Sequence, residues 1–334
     1  MLSFRESERE VNILITSASR KVSLVRAFQQ ALAYEESGKV IASDASPLSP
    51  ALYFADEYYV VPPSYKPEFL SVMLRLCEQM NIKLLVPTRD EELTFFAEQK
   101  KEFAAVGTRI MVADTCAVNI CQDKRLFVKF CHENGFATPR TYDTLDLSGS
   151  IMFPIFVKPQ YGKGGKHTFR VNSREGLVQV LKETPDAVVQ EFIQASEYTI
   201  DLFADFSGRV ISVVPRERIF VFGGESFISR TSKNLALIQE AIRLATKLQL
   251  IGHNTIQCFL DNDIVKFIEI NPRFGGAAHL GFAAGAPTPF FLVKLLKGET
   301  LEPMIGQFED NYFMLRYTDD LFLDKESLAS RVFP

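Results

Sequence analysis

Residues 255–276 read TIQCFLDNDIVKFIEINPRFGG. Two apolar runs flank Asp261, Asn262 and Asp263, and the second run ends in a carboxylate, a carboxamide, a proline, an arginine and two glycines. Asp and Asn side chains bond the local backbone and favour turns, so the stretch predicts an antiparallel hairpin. Strand side chains alternate between faces. Glu269 and Asn271 are therefore expected on one face, with Ile268 and Ile270 packing on the other. A three-residue loop centred on Asp263 sets Gln257 opposite Glu269, so three side-chain oxygens, one of them formally charged, converge. Such a hard, sparsely charged set suits Mg²⁺, which keeps waters and is completed by phosphate oxygens. The same residues also fit a surface hairpin with a polar end. Pro272 ends the strand, Arg273 follows it, and Gly275 and Gly276 would let the backbone approach closely.

Upstream, residues 11 to about 112 alternate strands with amphipathic helices. VNILIT, KVIASD, DEYYVVPP, KLLVPT and TRIMVA read as strands. KVSLVRAFQQALAYEE, PEFLSVMLRLCEQM with Pro67 in its first turn, and DEELTFFAEQKKEF read as helices. That alternation predicts a mostly parallel sheet covered by helices. The first strand runs into TSASRK and not into a GxGxxG turn, which points away from a bound nicotinamide dinucleotide. After a helix at DKRLFVKFCHENG the texture changes to short strands: IFVKP, HTFRVN, AVVQEFI, YTIDLFAD, RVISVVP and RERIFVF. A helix from Lys233 to about Leu250 separates these from the hairpin, and this half reads as α+β with antiparallel sheets.

At 334 residues the length suits two domains. Hydrophobic residues make up 47% and charged residues 23%, as in an ordinary globular protein. The net charge of −4, with Lys and Arg dispersed, gives no footprint for nucleic acid or an anionic membrane, so small molecules are the expected partners. Cys77, Cys116, Cys121, Cys131 and Cys258 form no CxxC pair and read as reduced thiols. The charged first residues lack the apolar core of a signal peptide, and no stretch offers 18 uninterrupted apolar residues, so a cytoplasmic location is expected.

Two further segments carry polar chemistry. In VKPQYGKGGK, residues 157–166, Lys158 closes a strand and Gly162, Gly164 and Gly165 follow, a loop able to wrap phosphate oxygens or to form a solvated hairpin. It is not a Walker loop, since no helix and no Ser or Thr follow the lysine at the required spacing. In VVQEFIQASEYTID, residues 188–201, an exposed strand end could bond an adenine edge while a nearby carboxylate takes ribose hydroxyls, or it could be a charged strand edge. Arg216 and Arg218 of VPRERI face either a substrate or solvent. His132, His167, His253 and His279 have no partners at ligand spacing and read as structural.

In the order DKRLF, IFVKPQYGKGGK, QEFIQASEYTID, VPRERI and TIQCFLDNDIVKFIEINPRFGG, these segments resemble the ATP-grasp superfamily. Within it they are most similar to one synthetase half of the large chain of carbamoyl phosphate synthase. The likeness covers about residues 11 to 300. It implies a Rossmann-like domain at 1–112 and an ATP-grasp domain at 113–303, with lobes at about 113–190 and 191–303. A C-terminal extension, 304–334, has no counterpart. In fold class, the chain is expected to be α/β and α+β. The resemblance implies ATP and Mg, with Mn as an alternative, as cofactors. Lys124 and Lys158 fall where the family holds ATP phosphates, and Gly164 and Gly165 fall in its mobile loop. Glu191 and Ile193 match the hinge backbone that meets adenine, and Glu197 matches the ribose carboxylate. Gln257, Glu269 and Asn271 match the metal ligands, and Arg273 matches the arginine that steadies the phosphoryl group in flight. Lys163 and Lys166 depart from the small residues expected in the loop.

The resemblance implies a carboxylate–amine ligase working through an acylphosphate, with small-molecule carboxylate and amine substrates. One grasp unit without a second synthetase half or a glutaminase region admits another reading, a subunit of a split carbamoyl phosphate synthase acting with a partner subunit. The third is a non-catalytic ATP-binding module, which would not require Arg273.

Overall fold

The computed structural model describes residues 10–143, 151–162, 165–328 and 332–333. Its first sheet has five parallel strands: β1 (Asn12–Thr16), β2 (Val40–Asp44), β3 (Glu57–Val60), β4 (Ile82–Pro87) and β5 (Arg109–Ile110), in the order β3-β2-β1-β4-β5. Around them lie α1 (Val22–Tyr34), α2 (Phe69–Gln79), α3 (Asp90–Glu98) and α4 (Lys100–Ala105), then α5 (Thr115–Gln122) and α6 (Lys124–Glu133). Strands β1 and β2 are buried throughout, because helices cover both faces. Two expectations are corrected here. Pro67 lies ahead of α2, whose cap is Glu68, and DEELTFFAEQKKEF forms two helices that share Gln99 as a cap.

The second sheet is small: β6 (Thr141–Tyr142), β7 (Ile155–Pro159), β8 (Phe169–Val171) and β9 (Ala187–Glu191), in the order β6-β9-β7-β8, backed by α7 (Arg174–Glu183). Ser173 caps α7 by accepting from Gly176 N. This lobe has its own core of Ile155, Val157, Val171, Leu177, Ala187 and Val189.

The third sheet has six antiparallel strands. Five are β10 (Ser196–Ala204), β11 (Val210–Phe222), β12 (Glu225–Thr231), β13 (Gly252–Asp261) and β14 (Ile264–Asn271), with α8 (Leu235–Leu248) between β12 and β13. Then come α9 (His279–Ala283), α10 (Thr288–Leu296) and the edge strand β15 (Phe313–Leu315), giving the order β14-β13-β10-β11-β12-β15. RVISVVP and RERIFVF are one strand, β11. Pro215 does not break it: its carbonyl accepts from Ser232 N just past the end of β12, so the one reciprocal bond that its missing N–H forgoes falls at the end of that ladder. Leu14, Phe96 and Phe127 share one core with Ile200, Leu244 and Ile256, so the parallel sheet and the six-stranded sheet are packed as a single body.

The hairpin of β13 and β14 sets the site. Asn262 and Asp263 both have positive φ, 48° and 64°, and they turn the chain in two residues, not the three expected. Asp261 therefore pairs with Ile264 and Cys258 with Phe267. A bulge then leaves Ile268 unpaired, and beyond it Gln257 does stand opposite Glu269. The expected pair forms because the bulge offsets the shorter turn. The bulge also moves Ile268 out of the inward row: Phe267 and Ile270 join the core, while Ile268 is half-buried.

Candidate active site

One face of the six-stranded sheet carries Glu269 and Asn271 on β14, Gln257 on β13, Glu197 on β10 and Arg218 on β11, as their cross-strand contacts show. Asn271 Nδ2 donates to Glu269 Oε1 at 3.2 Å. With its amide oriented to satisfy both ends, Gln257 donates from its nitrogen to Glu269 Oε1 at 2.5 Å while its oxygen accepts from Arg218 Nη1 at 2.9 Å. Arg218 Nε lies 3.1 Å from Glu197 Oε1. Burial raises the Glu197 pKa, with Arg218 opposing and Glu269 adding to the rise.

Lysines approach from the other side. Lys124, the first residue of α6, is positioned by Asp123, whose carboxylate caps the helix by accepting from Arg125 N and Leu126 N. The Lys124 Nζ donates to the Gly162 carbonyl at 2.8 Å and lies 4.0 Å from Glu269 Oε2. Lys158 on β7 is buried, and its Nζ donates to the carbonyl of the bulged Ile268 at 3.5 Å. Burial pushes its ammonium down to about 8, with Glu269 pulling it up and Lys124 pushing it further down.

Arg273 is held by a residue that sequence reasoning did not single out. Its Nε donates to Asp90 Oδ1 at 2.7 Å and its Nη2 to Asp90 Oδ2 at 2.6 Å, a bidentate clamp from the first turn of α3. Nη2 also donates to Asn271 Oδ1 at 3.0 Å. The run PTRDEEL, with acidic residues at a helix N-terminus, offered only a helix-start signal, since carboxylates there complement the helix dipole. Gly275 is required to be small, because a Cβ would lie 2.8 Å from Thr255 Oγ1, whereas Gly276 has open space around it and the expected close approach does not occur there. A cavity of about 180 Å³ is lined by Asp90, Gln122, Lys124, Gly162, Glu269 and Asn271.

The family profile described as an ATP-grasp domain matches residues 121–277, and the one described as a PylC-like N-terminal domain matches residues 13–111. The chain thus carries an ATP-grasp domain behind a PylC-like N-terminal domain. Among curated relatives it is 25% identical over 221 residues to the carbamoyl phosphate synthase large chain of Thermomicrobium roseum, covering 60% of this chain and 20% of that one. It thus spans about one fifth of the length of that relative. Among solved structures, the biotin carboxylase domain of Hydrogenobacter thermophilus 2-oxoglutarate carboxylase, in complex with MgADP, ADP and bicarbonate, gives a TM-score of 0.70 at 16% identity, covering 91% of this chain and 73% of that one. L-amino acid ligase from Bacillus licheniformis gives a TM-score of 0.68 at 19% identity, covering 86% and 75%. Both likenesses show a shared fold.

The remaining residues expected from the ATP-grasp resemblance fall as follows. Glu191 ends β9, and its Oε1 accepts from Arg140 N at 3.0 Å and from Lys266 Nζ at 3.2 Å, which ties the four-stranded lobe to the six-stranded sheet. Ile193 lies in the coil between β9 and β10, half-buried. Gly165 has φ of +67°, and its carbonyl accepts from Thr168 Oγ1 at 2.8 Å. Gly164 and Lys163 lie outside the described residues. Arg216 is buried with its Nε on Asp201 Oδ2 at 2.7 Å. Burial opposes the Asp201 charge, but Arg216 holds the carboxyl below its usual range. Of the histidines set aside as structural, His253 is buried and stacks on Phe274 with ring centres 4.3 Å apart, whereas His132 and His167 are exposed, His132 Nε2 meeting Thr138 Oγ1 at 3.2 Å. Among the described residues no helix is long and apolar enough to cross a membrane, and no cluster of three His, Cys, Asp or Glu could hold a metal by itself.

Proposed function

We propose that this protein is an ATP-dependent ligase that activates a carboxylate as an acylphosphate for capture by an amine. The observation that carries the reading is the arginine clamp. Asp90 and Asn271 hold the Arg273 guanidinium next to Glu269, on the face that Lys124 and Lys158 approach. A substrate carboxylate oxygen attacks the γ-phosphorus, the bond to the β-phosphate oxygen breaks, and ADP leaves with that electron pair. The amine then attacks the acyl carbon, the carbon–oxygen bond to phosphate breaks, phosphate departs, and the amine releases a proton. Lys124 and Lys158 neutralise phosphate charge, and Arg273 stabilises the charge on the moving phosphoryl group, so positioning and electrostatics supply the catalysis.

The residues fit Mg²⁺: Gln257, Glu269 and Asn271 bring hard oxygens and a single formal charge, and would hold the ion once each amide presents its oxygen. An ion held by these residues would supply positive charge against the phosphates during transfer. The hinge at Glu191 and Ile193 and the loop at Gly164 and Gly165 would embrace the nucleotide, with Glu197 as the ribose carboxylate. In this reading 1–112 carries the pre-grasp domain and 113–303 the grasp itself.

The deciding experiment measures ADP release with Mg²⁺ and ATP against panels of carboxylates and amines. ATP turnover that depends on no carboxylate overturns the proposal. The likeness to carbamoyl phosphate synthase large chains supports a second reading, a subunit of a split synthase that phosphorylates bicarbonate or carbamate. Bicarbonate-dependent ADP release that rises when a partner subunit is added would select it.

A further inference from the structure

The geometry points to a carboxylate-binding pocket completed by Arg316 from the C-terminal stretch, at the β11–β12 side of the sheet. This inference rests on the ligase reading and adds to it the place where the acid substrate is held. Three guanidinium groups from distant parts of the chain come together there. Arg20, from the loop after β1, reaches Glu225 Oε1 with its Nη2 at 3.0 Å. Arg316, just after β15, donates from Nη1 to Glu225 Oε2 at 2.6 Å and from Nη2 to the Gly276 carbonyl. Arg216 is buried beside Asp201.

The tertiary packing that delivers Arg316 is specific. β15 pairs with β12, Leu315 opposite Ile228, and Met314 packs against Ala277 and Leu280 around the start of α9. Helix α9 lies over Asp201, since a Cβ on Gly281 would be 3.9 Å from Asp201 Oδ2. His279, in the same helix, is pushed down to about 4 by burial, and then by Arg316 and Arg216, so it is neutral near pH 7. Burial also lowers the Arg316 pKa, with Glu225 opposing and Arg216 and Arg20 adding to the fall. Three guanidinium groups thus share two carboxylates, Asp201 and Glu225, and one positive charge is left over.

Among the buried polar atoms of this region without a hydrogen-bond partner among the described residues are two donors, Arg216 Nη1 and Ser229 Oγ, alongside Arg218 Nε, Ser226 Oγ, Asp201 Oδ1 and His253 Nε2. Arg216 stands opposite Thr231 and Arg218 opposite Ser229 in the β11–β12 ladder, so Arg216 and Ser229 lie on one face of the sheet. Leaving buried donors unpaired is costly, and a ligand that accepts from both removes that cost. A carboxylate fits: it is a planar two-oxygen anion that matches a guanidinium fork and balances the surplus charge. Arg218 connects this pocket to the phosphate end, because it also meets Glu197.

The test uses the whole chain without nucleotide, followed by turnover. Thermal stability is measured with acetate, bicarbonate, succinate and glutamate, each against chloride at matched ionic strength. At least one carboxylate should stabilise the wild type saturably, with the shift lost in Arg316→Gln and reduced in Ser229→Ala, a variant that removes only an unpartnered hydroxyl. With that carboxylate in the ADP-release assay, Arg316→Gln should raise its KM about tenfold or more, with KM for ATP little changed. No stabilisation by any of the four acids, or equal stabilisation of wild type and both variants, overturns the inference. ADP release with an unaltered carboxylate KM in Arg316→Gln refutes the pocket and leaves the ligase reading standing. Variant-sensitive stabilisation without ADP release supports the pocket and refutes the ligase reading.

Discussion

The four-stranded lobe and the six-stranded sheet both contribute to the proposed phosphate site, but they are built differently. The lobe is held by six buried residues of its own, Ile155 to Val189, whereas the six-stranded sheet shares a continuous core with the parallel sheet. Contacts between lobe and sheet include polar ones: Lys158 to the Ile268 carbonyl, and Lys266 to Glu191. A small separate core joined by exchangeable hydrogen bonds is the construction of a part that can shift as a unit while the rest stays packed. The lobe brings a desolvated cation. The sheet brings the proposed oxygen ligands and the clamped arginine.

The largest expected effect breaks the sheet side of that contrast. Arg273→Ala should lower kcat by about 10³-fold, while calorimetry finds ATP affinity within about tenfold of wild type. Equal loss of binding and turnover would make Arg273 a nucleotide anchor instead. On the lobe side, Leu177→Ala should cost about 2–5 kcal/mol, and hydrogen exchange should speed up over residues 155–191 with β1 and β4 unchanged. A uniform loss of protection would show that lobe and body unfold together. Asp90→Asn tests the clamp across the two larger sheets and should lower kcat by about 10- to 100-fold, with KM for ATP little moved.

The smallest effect is the most diagnostic, because two quantities move in opposite directions. Lys158 titrates near 8 in the folded protein, below the ordinary lysine value of 10.5. The ammonium is lost as pH rises through about 8, so the KM for ATP should rise, by about tenfold one unit above that value. Stability runs the other way. A folded pKa below the unfolded one means that the penalty of a buried charge is present below about 8 and is relieved as pH rises toward 10.5. The nucleotide-free chain should therefore gain stability from this group across that window. Lys158→Met should abolish the gain and raise Tm at pH 7 by a few degrees while weakening ATP binding. A wild-type KM that is flat from pH 7 to 9 would show that Lys158 does not meet phosphate.

Much of this was legible in the order of residues. Apolar runs alternating with amphipathic ones specified the parallel sheet, because burial on both faces imposes period and length on a strand. The pairing of Gln257 with Glu269 was legible too, although for an incomplete reason, since a two-residue turn plus a bulge reaches the same register as a three-residue loop. The helices α5 and α7 were not read from TCAVNICQ and REGLVQVLKE, whose helical pattern is brief and lies between strand-like runs. The edge strand β15 carries three residues, too few for a period-2 signal.

The sequence by itself singled out the residues proposed to carry the chemistry: two lysines, one arginine, a carboxylate and two carboxamides. Tertiary structure alone decided who holds them. Asp90 lies 183 residues from the arginine it clamps, and Arg316 lies 91 from Glu225. The physical reason is that charge pairing acts over a few ångströms of space and has no period along the chain, so folding must bring such partners together before they can be recognised.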